Sequence, residues 1–384
     1  MRRQEVDFMA GRLLFVVNNL SFFISHRLEI GLAARQKEYA VKVLGPKNAE
    51  AAQYLHSRGL EVQEINVAQE DHGLWGQARF LWAVYRACRE FRPTVCHMIT
   101  LKTFLVAGVA SRLALVPRRI GAVSGLGYFF ISDKWPVRIS RAIYRPLFWF
   151  AMTGKNTEVI FQNRDDLSVL QTYARIDPAQ THLIPGSGVD LQKFSPQPEP
   201  EGPVTFVLIG RMLKDKGVME FVQAARILKE LGADARFVLA GLPDETNPAT
   251  VSRQTLEQFN AEGAVSWIGY CDNPAELIAA SHVLVLPSYR EGFPRVLIEA
   301  AAAGRPAIAS DVPGCRHAIM DGTTGTLVPV RDAKSLADAM LSLMQDTQTR
   351  LAMGANAREL AEKKYSVDSV VATHLDIYSA LPEG

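Results

Sequence analysis

Two carboxylates eight positions apart, Glu291 and Glu299, mark the part of the chain richest in residues that can do chemistry. They lie in the segment LPSYREGFPRVLIE, residues 286–299, where an apolar run ends in a loop and a helix is predicted to begin near Phe293. Ligands of open α/β sheets bind beyond the carboxyl ends of the strands, and the N–H groups at a helix start attract anions such as a diphosphate. A carboxylate also accepts two hydrogen bonds from a vicinal diol such as a ribose. The segment therefore predicts a site for an elongated ligand with a diphosphate and a sugar.

A purely structural interpretation of the same two carboxylates is also open. Glu291 can act only as a favourable charge at a helix start, and Glu299 can be a solvated helix position. Glu299, however, stands beside Ile298 and the alanine run 300–303, and a carboxylate on an apolar helix face needs a partner. This surrounding favours the ligand-binding interpretation.

A second segment, LIGRMLKDKG at 208–217, repeats the strand–turn–helix pattern with basic side chains at its tip. Arg211 can bind a phosphate through two hydrogen bonds, and Lys216 can supply a point charge; ordinary solvated surface charge is the alternative. The chain has no G-x-x-x-x-G-K-[ST] loop and no G-x-G-x-x-G motif after a predicted strand, the signatures of ATPase loops and dinucleotide folds. ATP hydrolysis and nicotinamide chemistry therefore lose support.

The elements that must position these segments follow a regular pattern, because short Val-, Ile- and Leu-rich runs alternate with longer stretches of helical period. Such alternation is typical of parallel sheets with crossover helices. The stretch from Pro185 to Pro203 holds five prolines and interrupts the pattern, as expected of a linker. The predicted strands are 13–17, 40–44, 62–65, 95–98, 119–122, 158–161 and 182–184 before this stretch, and 204–209, 235–240, 265–268, 283–286 and 307–310 after it.

The pattern predicts an α/β protein made of two doubly wound, Rossmann-like domains that face each other across a cleft. We place the first domain at residues 1–185, the linker at 186–203 and the second domain at 204–365. The final helical segment, 366–384, is expected to pack back on the first domain.

Taken together, the motifs resemble those of the family 4 glycosyltransferases, which have the GT-B fold. The family's E-x7-E motif matches Glu291 and Glu299, and its G-R-x-x-x-x-K-G motif matches 210–217 through Gly210, Arg211, Lys216 and Gly217. The phrases REGFPR at 290–295, DVPGCR at 311–316 and DG at 321–322 are similar to the branch that builds bacterial capsules and O-antigens.

The resemblance implies a retaining transferase whose substrate is a nucleotide-activated sugar, usually UDP-linked, and which needs neither a metal nor another cofactor. Arg211 and Lys216 would neutralise the departing diphosphate, Glu299 would bind the ribose hydroxyls, and Glu291 would contact the donor sugar. The amides of 292–296 would cap the phosphates. The implied donor-binding set is Gly210, Arg211, Lys216, Glu291, Gly292, Phe293, Pro294, Arg295, Val296 and Glu299.

In the same resemblance the first domain binds the acceptor. His97 ends a predicted strand where the family often has H-x-H, although Ile99 replaces the second histidine here. We expect a catalytic, sugar-contacting role for His97, with a structural histidine as the alternative. The segment after the first strand is expected to contact the acceptor, a plain turn being the alternative. With one lysine further along the chain, the expected acceptor contacts are Asn19, Ser21, Phe22, His26 and Lys102.

The charges of the chain are unevenly distributed, although the net charge is only +2. Residues 1–185 carry a net +9 and residues 186–384 a net −7, and the segment 112–155 alone has eight basic residues and one acid. Basic residues interleaved with aromatic ones suit a segment that lies on anionic lipid; a core helix with a solvated basic face is the alternative. Nucleic acid is disfavoured by the acidic second half. The predicted membrane contacts are Arg138, Arg141, Arg145 and Trp149.

Cysteine usage and hydropathy bear on the compartment. The four cysteines show no C-x-x-C pairing, which fits free thiols in a reducing compartment. The first residues carry acids where a signal peptide needs an apolar core, and the longest apolar stretch, 101–116, is interrupted by Lys102 and Arg112. We therefore expect a cytoplasmic protein at the inner face of the cell membrane.

These observations lead to one functional hypothesis with open alternatives. It is a transferase that moves a sugar, of N-acetylated hexosamine type, from a UDP-sugar to a polyprenyl-diphosphate-linked glycan. A soluble transferase with a small-molecule or protein acceptor is the first alternative. A UDP-sugar epimerase on the same fold is the second, and a catalytically silent sugar-binding module is disfavoured because both phosphate-facing motifs are intact.

Overall fold

The computed structural model describes residues 11–66, 73–126, 128–131 and 135–380. The described chain forms two compact units, one comprising the residues up to Ser187 together with those from Val370 onwards, the other Gly188–Ser369. Most of the proline-rich stretch predicted as a linker, residues 188–203, is thus grouped with the second unit. Residues 366–369 of the final predicted segment are also grouped there.

The first unit is built on a seven-stranded sheet with the order β3-β2-β1-β4-β5-β6-β7 and parallel pairing throughout. Its strands are β1 (Gly11–Val16), β2 (Tyr39–Pro46), β3 (Glu61–Ile65), β4 (Val95–Ile99), β5 (Arg118–Val123), β6 (Thr157–Phe161) and β7 (Thr181–Leu183). Its helices are α1 (Leu20–Gln36), α2 (Ala49–Ser57), α3 (Leu74–Phe91), α4 (Leu101–Leu113), α5 (Tyr128–Ile131), α6 (Trp135–Met152) and α7 (Arg164–Ala174).

The second unit has a six-stranded parallel sheet with the order β10-β9-β8-β11-β12-β13. Its strands are β8 (Val204–Ile209), β9 (Ala235–Ala240), β10 (Ser266–Trp267), β11 (Val283–Leu286), β12 (Ala307–Ser310) and β13 (Gly325–Val328). Its helices are α8 (Val218–Glu230), α9 (Arg253–Ala261), α10 (Pro274–Ala279), α11 (Arg295–Ala302), α12 (Pro313–Ala318), α13 (Ala333–Gln345) and α14 (Thr347–Lys364), followed by α15 (Val367–Ser379), which enters the first unit at Val370.

Both sheets are covered on both faces, which is why their strands read as nearly continuous apolar runs. In β1, Leu13 and Phe15 belong to one buried cluster while Leu14 and Val16 belong to another, because successive side chains of a strand point to opposite faces. In each sheet the order of the strands reverses once, between β1 and β4 and between β8 and β11. At such a reversal the crossovers leave on opposite sides and open a crevice at the carboxyl ends of the strands.

The last helix, α15, is held on the first unit by a buried polar cluster. The hydroxyl of Tyr378 lies 2.6 Å from Nδ1 of His97 on β4, and the ring of His374 stacks over that of His97. Arg27 of α1 is buried beside them. Burial lowers the pKa of His97 well below its ordinary value and that of His374 to about 3, so both rings are neutral at pH 7.

Replacing Tyr378 by Phe tests this attachment, because the variant removes one hydroxyl and keeps the ring. Nδ1 of His97 then loses its partner in a buried site, and we expect the free energy of unfolding to fall by about 1–3 kcal/mol. Urea unfolding measures it, and Tyr54→Phe on the exposed surface of α2 is the matched control. Equal stabilities of the two variants would contradict the role of the hydroxyl.

Candidate active site

The sequence-predicted donor residues come together at the strand-order reversal of the second sheet. Gly210 and Arg211 directly follow β8, and the loop with Glu291 follows β11. The two strands are neighbours, so the loops leave the same edge of the sheet side by side. Lys216 ends a short 3₁₀ helix, Lys214–Lys216, that connects β8 to α8.

Gly217 lets these two loops pack against each other. Its φ is +74°, a left-handed conformation that favours glycine, and a Cβ atom there would lie 2.1 Å from the carbonyl oxygen of Pro287. The backbone N–H of Tyr289 donates to the carbonyl of Asp215 at 2.9 Å and fastens the loops together. The geometry thus explains both the K-G pair and the proline at the end of β11.

Lys216 and Glu291 form an ion pair with 2.5 Å between Nζ and Oε1. The carboxylate is largely buried while the ammonium is more accessible, so each group holds the other in place at the mouth of the crevice. A Cβ atom on Gly314 at the start of α12 would lie 2.6 Å from the carbonyl oxygens of Glu291 and Gly292. Because residue 314 of the DVPG segment is a glycine, the loop that carries Glu291 can pack directly against the start of α12.

Arg211 projects from the site, with an accessible side chain whose Nη1 lies 2.7 Å from Oδ2 of Asp244. Hydrogen bonds from Thr246 and then Arg211 lower the pKa of Asp244. Asp244 follows the end of β9 and was missed by the sequence reasoning. The strand-end rule applied to β9 would have found it.

Glu299 lies on α11 and is buried, with its Oε1 atom 2.7 Å from Nε of Arg295. Burial raises the pKa of Glu299, while the charge of Arg295 opposes the shift. The sequence argument that this carboxylate needs a partner is met by Arg295 within α11. The predicted ligand contact of Glu299 remains a proposal.

Two details of the predicted phosphate cap are corrected by the structure. Helix α11 begins at Arg295, with Pro294 as its N-cap, rather than near Phe293. Pro294 has no N–H to donate, so the amides of 292–296 include one that cannot contribute. The side chain of Phe293 is buried against the ring of Tyr365, so it supports the loop from below. The amide groups of Gly292, Phe293, Arg295 and Val296 remain the candidates.

The structure contradicts the expected substrate contact of His97. Its side chain is 0% exposed and faces α15, where it contacts Tyr378. His97 is the third of the five residues of β4 rather than its end, and the alternating side chains of the strand direct this ring into the core. The structural-histidine alternative is therefore the correct one.

The expected acceptor residues divide into two groups in the first unit. Asn19 caps α1 by accepting from the N–H of Phe22, and Ser21 accepts from Nδ2 of Asn48. His26 stacks on Phe22 at 4.0 Å between ring centroids. Lys102 is separate from these and lines a cavity described below. Residues of the first group thus build the start of α1, which supports the plain-turn alternative for Asn19.

The basic segment 112–155 also divides into two parts. Arg118 pairs with Glu158, Arg119 donates to Thr157, and Arg112 donates to carbonyls at the end of α6. These three side chains make their ion pairs and hydrogen bonds within the first unit. Of the predicted membrane residues, Arg141 and Arg145 donate to the carbonyls of Phe130 and Tyr173.

Helix α6 keeps an exposed apolar face that composition did not reveal. Trp135 is 71% exposed, Ile143 69% and Trp149 50%, and Arg138 is exposed on the same helix. Phe148, Ala151 and Met152 face the core instead. The core-helix alternative is thus right for one side of α6 only.

Comparison with known proteins now identifies the family. Residues 190–360 match the family described as Glycosyl transferases group 1, and residues 12–163 match the one described as Glycosyl transferase 4-like. An alpha-maltose-1-phosphate synthase of Mycolicibacterium smegmatis is 31% identical over 313 residues, 74% of this chain and 78% of the relative. The chain belongs to the group 1 glycosyl transferases. The predicted family and enzyme class are confirmed.

Two further relatives of this glycosyl transferase bear on its chemistry and fold. An N,N'-diacetylbacillosaminyl-diphospho-undecaprenol alpha-1,3-N-acetylgalactosaminyltransferase of Campylobacter jejuni is 27% identical over 93% of this chain and 97% of its own length. The crystal structure of Anabaena Alr3699/HepE in complex with UDP and glucose superposes with a TM-score of 0.77 at 18% identity, covering 97% of this chain and 100% of that one. With two doubly wound parallel-sheet units, the predicted GT-B fold class is confirmed.

Because the pKa of Glu299 is raised, the stability of the protein should depend on pH in a testable way. A carboxyl group whose pKa is higher in the folded state binds protons more tightly there, so its contribution to stability is lost as the pH rises through that pKa. We expect Glu299→Gln to gain stability relative to the unmodified protein as the pH rises from about 4.5 towards neutrality. Urea unfolding over this pH range measures the difference.

Glu262→Gln is the matched control, because Arg226 holds the pKa of Glu262 below its ordinary value. Its stability relative to the unmodified protein should fall as the pH rises towards about 4.5 and change little above that value, because the pKa of Glu262 lies below its ordinary value. A difference for Glu299→Gln that does not change with pH would contradict the assignment.

Proposed function

We propose that this transferase moves an N-acetylated hexosamine from a UDP-sugar to a polyprenyl-diphosphate-linked glycan at the cytoplasmic membrane face. The observation that carries the donor half is the Lys216–Glu291 ion pair at the strand-order reversal of the second sheet, with Arg211 directly after β8 and Glu299 on the helix that follows the Glu291 loop. Cations there can meet a diphosphate and carboxylates can meet hydroxyl groups, which is the chemistry of a nucleotide sugar.

The transfer itself follows from these placements. The acceptor hydroxyl oxygen forms a bond to the anomeric carbon of the sugar, and the bond from that carbon to the β-phosphate oxygen breaks. UDP leaves with the electron pair, and the acceptor hydroxyl releases its proton. Lys216 and Arg211 offset the charge that develops on the leaving diphosphate, and fixed charges of this kind need no rearrangement as the bond breaks.

Roles for the two carboxylates complete the donor site. Glu291, held by Lys216, is directed to the hydroxyl groups of the sugar, and Glu299, held by Arg295, to those of the ribose. Retention of the anomeric configuration, a UDP rather than a GDP donor, and independence of a metal or other cofactor are parts of the same proposal. The choice of a UDP donor draws support from the Anabaena structure, which holds UDP and glucose.

The acceptor half of the proposal is supported by a relative. The Campylobacter jejuni relative carries a diphospho-undecaprenol acceptor and an N-acetylgalactosaminyl group in its name, and the match covers nearly all of both chains. Among the described residues of our protein, no helix is long and apolar enough to cross a membrane.

We assign membrane contact to the exposed face of α6. Tryptophan side chains favour the interface between water and lipid, and a basic residue beside them is attracted to anionic headgroups. Trp135, Ile143, Trp149 and Arg138 offer this combination. Arg141 and Arg145, which bond to backbone carbonyls, position the helix.

Lys216→Ala tests the donor site. We expect kcat to fall by about 10²–10³-fold, equivalent to about 3–4 kcal/mol, because one cation facing the leaving group is lost. Lys214→Ala, an exposed lysine on the same 3₁₀ helix, is the matched control and should keep its rate. Release of UDP or GDP from a panel of UDP- and GDP-sugars with a lipid-linked acceptor measures the rate.

Three results would overturn the proposal or a named part of it. Equal rates of the two lysine variants would remove Lys216 from the donor site. Conversion of a UDP-sugar to its epimer without any acceptor would establish the epimerase instead, and transfer only to acceptors without lipid would establish the soluble transferase. The anomeric configuration of the product, read by NMR coupling constants, tests retention.

Flotation with vesicles that contain anionic lipid tests the face of α6. We expect Trp135→Ser with Trp149→Ser to abolish most of the bound fraction, and Arg138→Gln to weaken binding about fivefold, since one cation near the surface contributes about 1 kcal/mol. Leu231→Ser, an exposed apolar residue of the second unit, is the control. Unchanged binding of the double variant would show that α6 is ordinary surface.

A further inference from the structure

A cavity of about 460 Å³ lies in the first unit, where the strand order of its sheet reverses. It is bordered by Asn18 after β1, Thr100 after β4 and Gly125 after β5. This is the position at which open α/β sheets bind ligands, and the volume is that of a small-molecule site. The proposed donor residues all belong to the second unit, whereas the residues that line this cavity belong to the first.

Apolar side chains form most of the wall. Leu105 of α4, Leu126 and three aromatic residues line it. Phe129 stacks on Phe148 with 6.0 Å between ring centroids and meets Tyr144 edge-on at 6.1 Å. Since these rings hold one another in place, the chamber has a defined shape. A free sugar would find few hydrogen-bonding partners on such a wall, whereas a hydrocarbon chain fits it.

One charged side chain, Lys102, is among the residues that line the same cavity. It is the second residue of α4, whose first turn follows Thr100. The described residues lining the cavity include no acid. An apolar chamber with one cation in its lining is complementary to an amphiphile with an anionic head.

Helix α6 connects this cavity with the proposed membrane face. Its Tyr144 and Phe148 line the cavity, while Ile143 and Leu147, each one position away, are exposed. Residues three and four apart are neighbours on a helix surface, so Tyr144 and Leu147 continue the apolar surface from the exposed side to the cavity. A lipid chain can pass from the bilayer along this strip.

We infer that the cavity binds the lipid-proximal end of the acceptor, with the first isoprene units against Leu105, Phe129 and Phe148 and the diphosphate at Lys102. This inference rests on the proposed lipid-linked acceptor and adds to it a site that recognises the lipid rather than the glycan. The enzyme then selects its acceptor by two separate parts of one molecule.

Binding of farnesyl diphosphate to the full chain, measured by calorimetry, tests the inference without turnover. Farnesol and inorganic diphosphate serve as the two half-ligands, and both should bind at least tenfold more weakly. Leu105→Trp, which fills the cavity, should weaken the binding of farnesyl diphosphate at least tenfold. Leu113→Trp lies on the exposed end of the same helix and should change nothing.

Variants of Lys102 distinguish recognition of the diphosphate head from recognition of the hydrocarbon chain. Lys102→Gln should weaken the binding of farnesyl diphosphate several-fold and leave the binding of farnesol unchanged. Lys102→Arg should restore the affinity for farnesyl diphosphate. If Leu105→Trp binds farnesyl diphosphate like the unmodified protein, or inorganic diphosphate binds equally well, the inference is wrong. If the protein still glycosylates a lipid-linked acceptor after such a result, the proposed function stands. If it never glycosylates such an acceptor, the proposed function is wrong, whatever the cavity binds.

Discussion

The reversal of strand order in a parallel sheet is the constraint on which both sites of this transferase depend. Between β8 and β11, and again between β1 and β4, the crossovers depart on opposite sides and leave the carboxyl ends of two neighbouring strands uncovered. The donor residues stand at the first of these edges and the apolar cavity at the second. Each unit therefore supplies one binding position for the same topological reason, although the two are lined by opposite chemistry.

The proposed donor site consists of charged side chains that pair with one another in the structure. Lys216 holds Glu291, Arg211 holds Asp244, and Arg295 holds Glu299. An isolated charge in a crevice of this kind would be costly to bury, and pairing lowers that cost while fixing the side chains in place. The proposed diphosphate would then meet cations already oriented by the protein, the arrangement from which electrostatic catalysis gains most.

Much of the fold could be predicted from local pattern, as β8, β9, β11 and β12 occur at the predicted residues. The strand β13 was missed because Gly325 and Thr326 interrupt the apolar run that marks the equally short strands β11 and β12. The start of α11 was placed two residues early, since the role of Pro294 as a cap depends on the path of the loop. His97 was assigned to the substrate because the sequence suggested that a strand ends there, whereas β4 continues to Ile99 and the ring contacts Tyr378, 281 residues further along the chain.

By itself, the sequence determined the α/β class, the strand–loop–helix segments that carry Arg211, Lys216, Glu291 and Glu299, and the excess of positive charge in the first half, because these follow from residue types and short spacings. Only the tertiary structure decided which side chains meet. It directed Arg112, Arg118 and Arg119 inward, left Trp135 and Trp149 exposed, and closed the cavity around Phe129 and Phe148. The physical reason is that burial and pairing arise between elements distant in the chain, and a charge count cannot distinguish a cation that holds a core together from one that faces lipid.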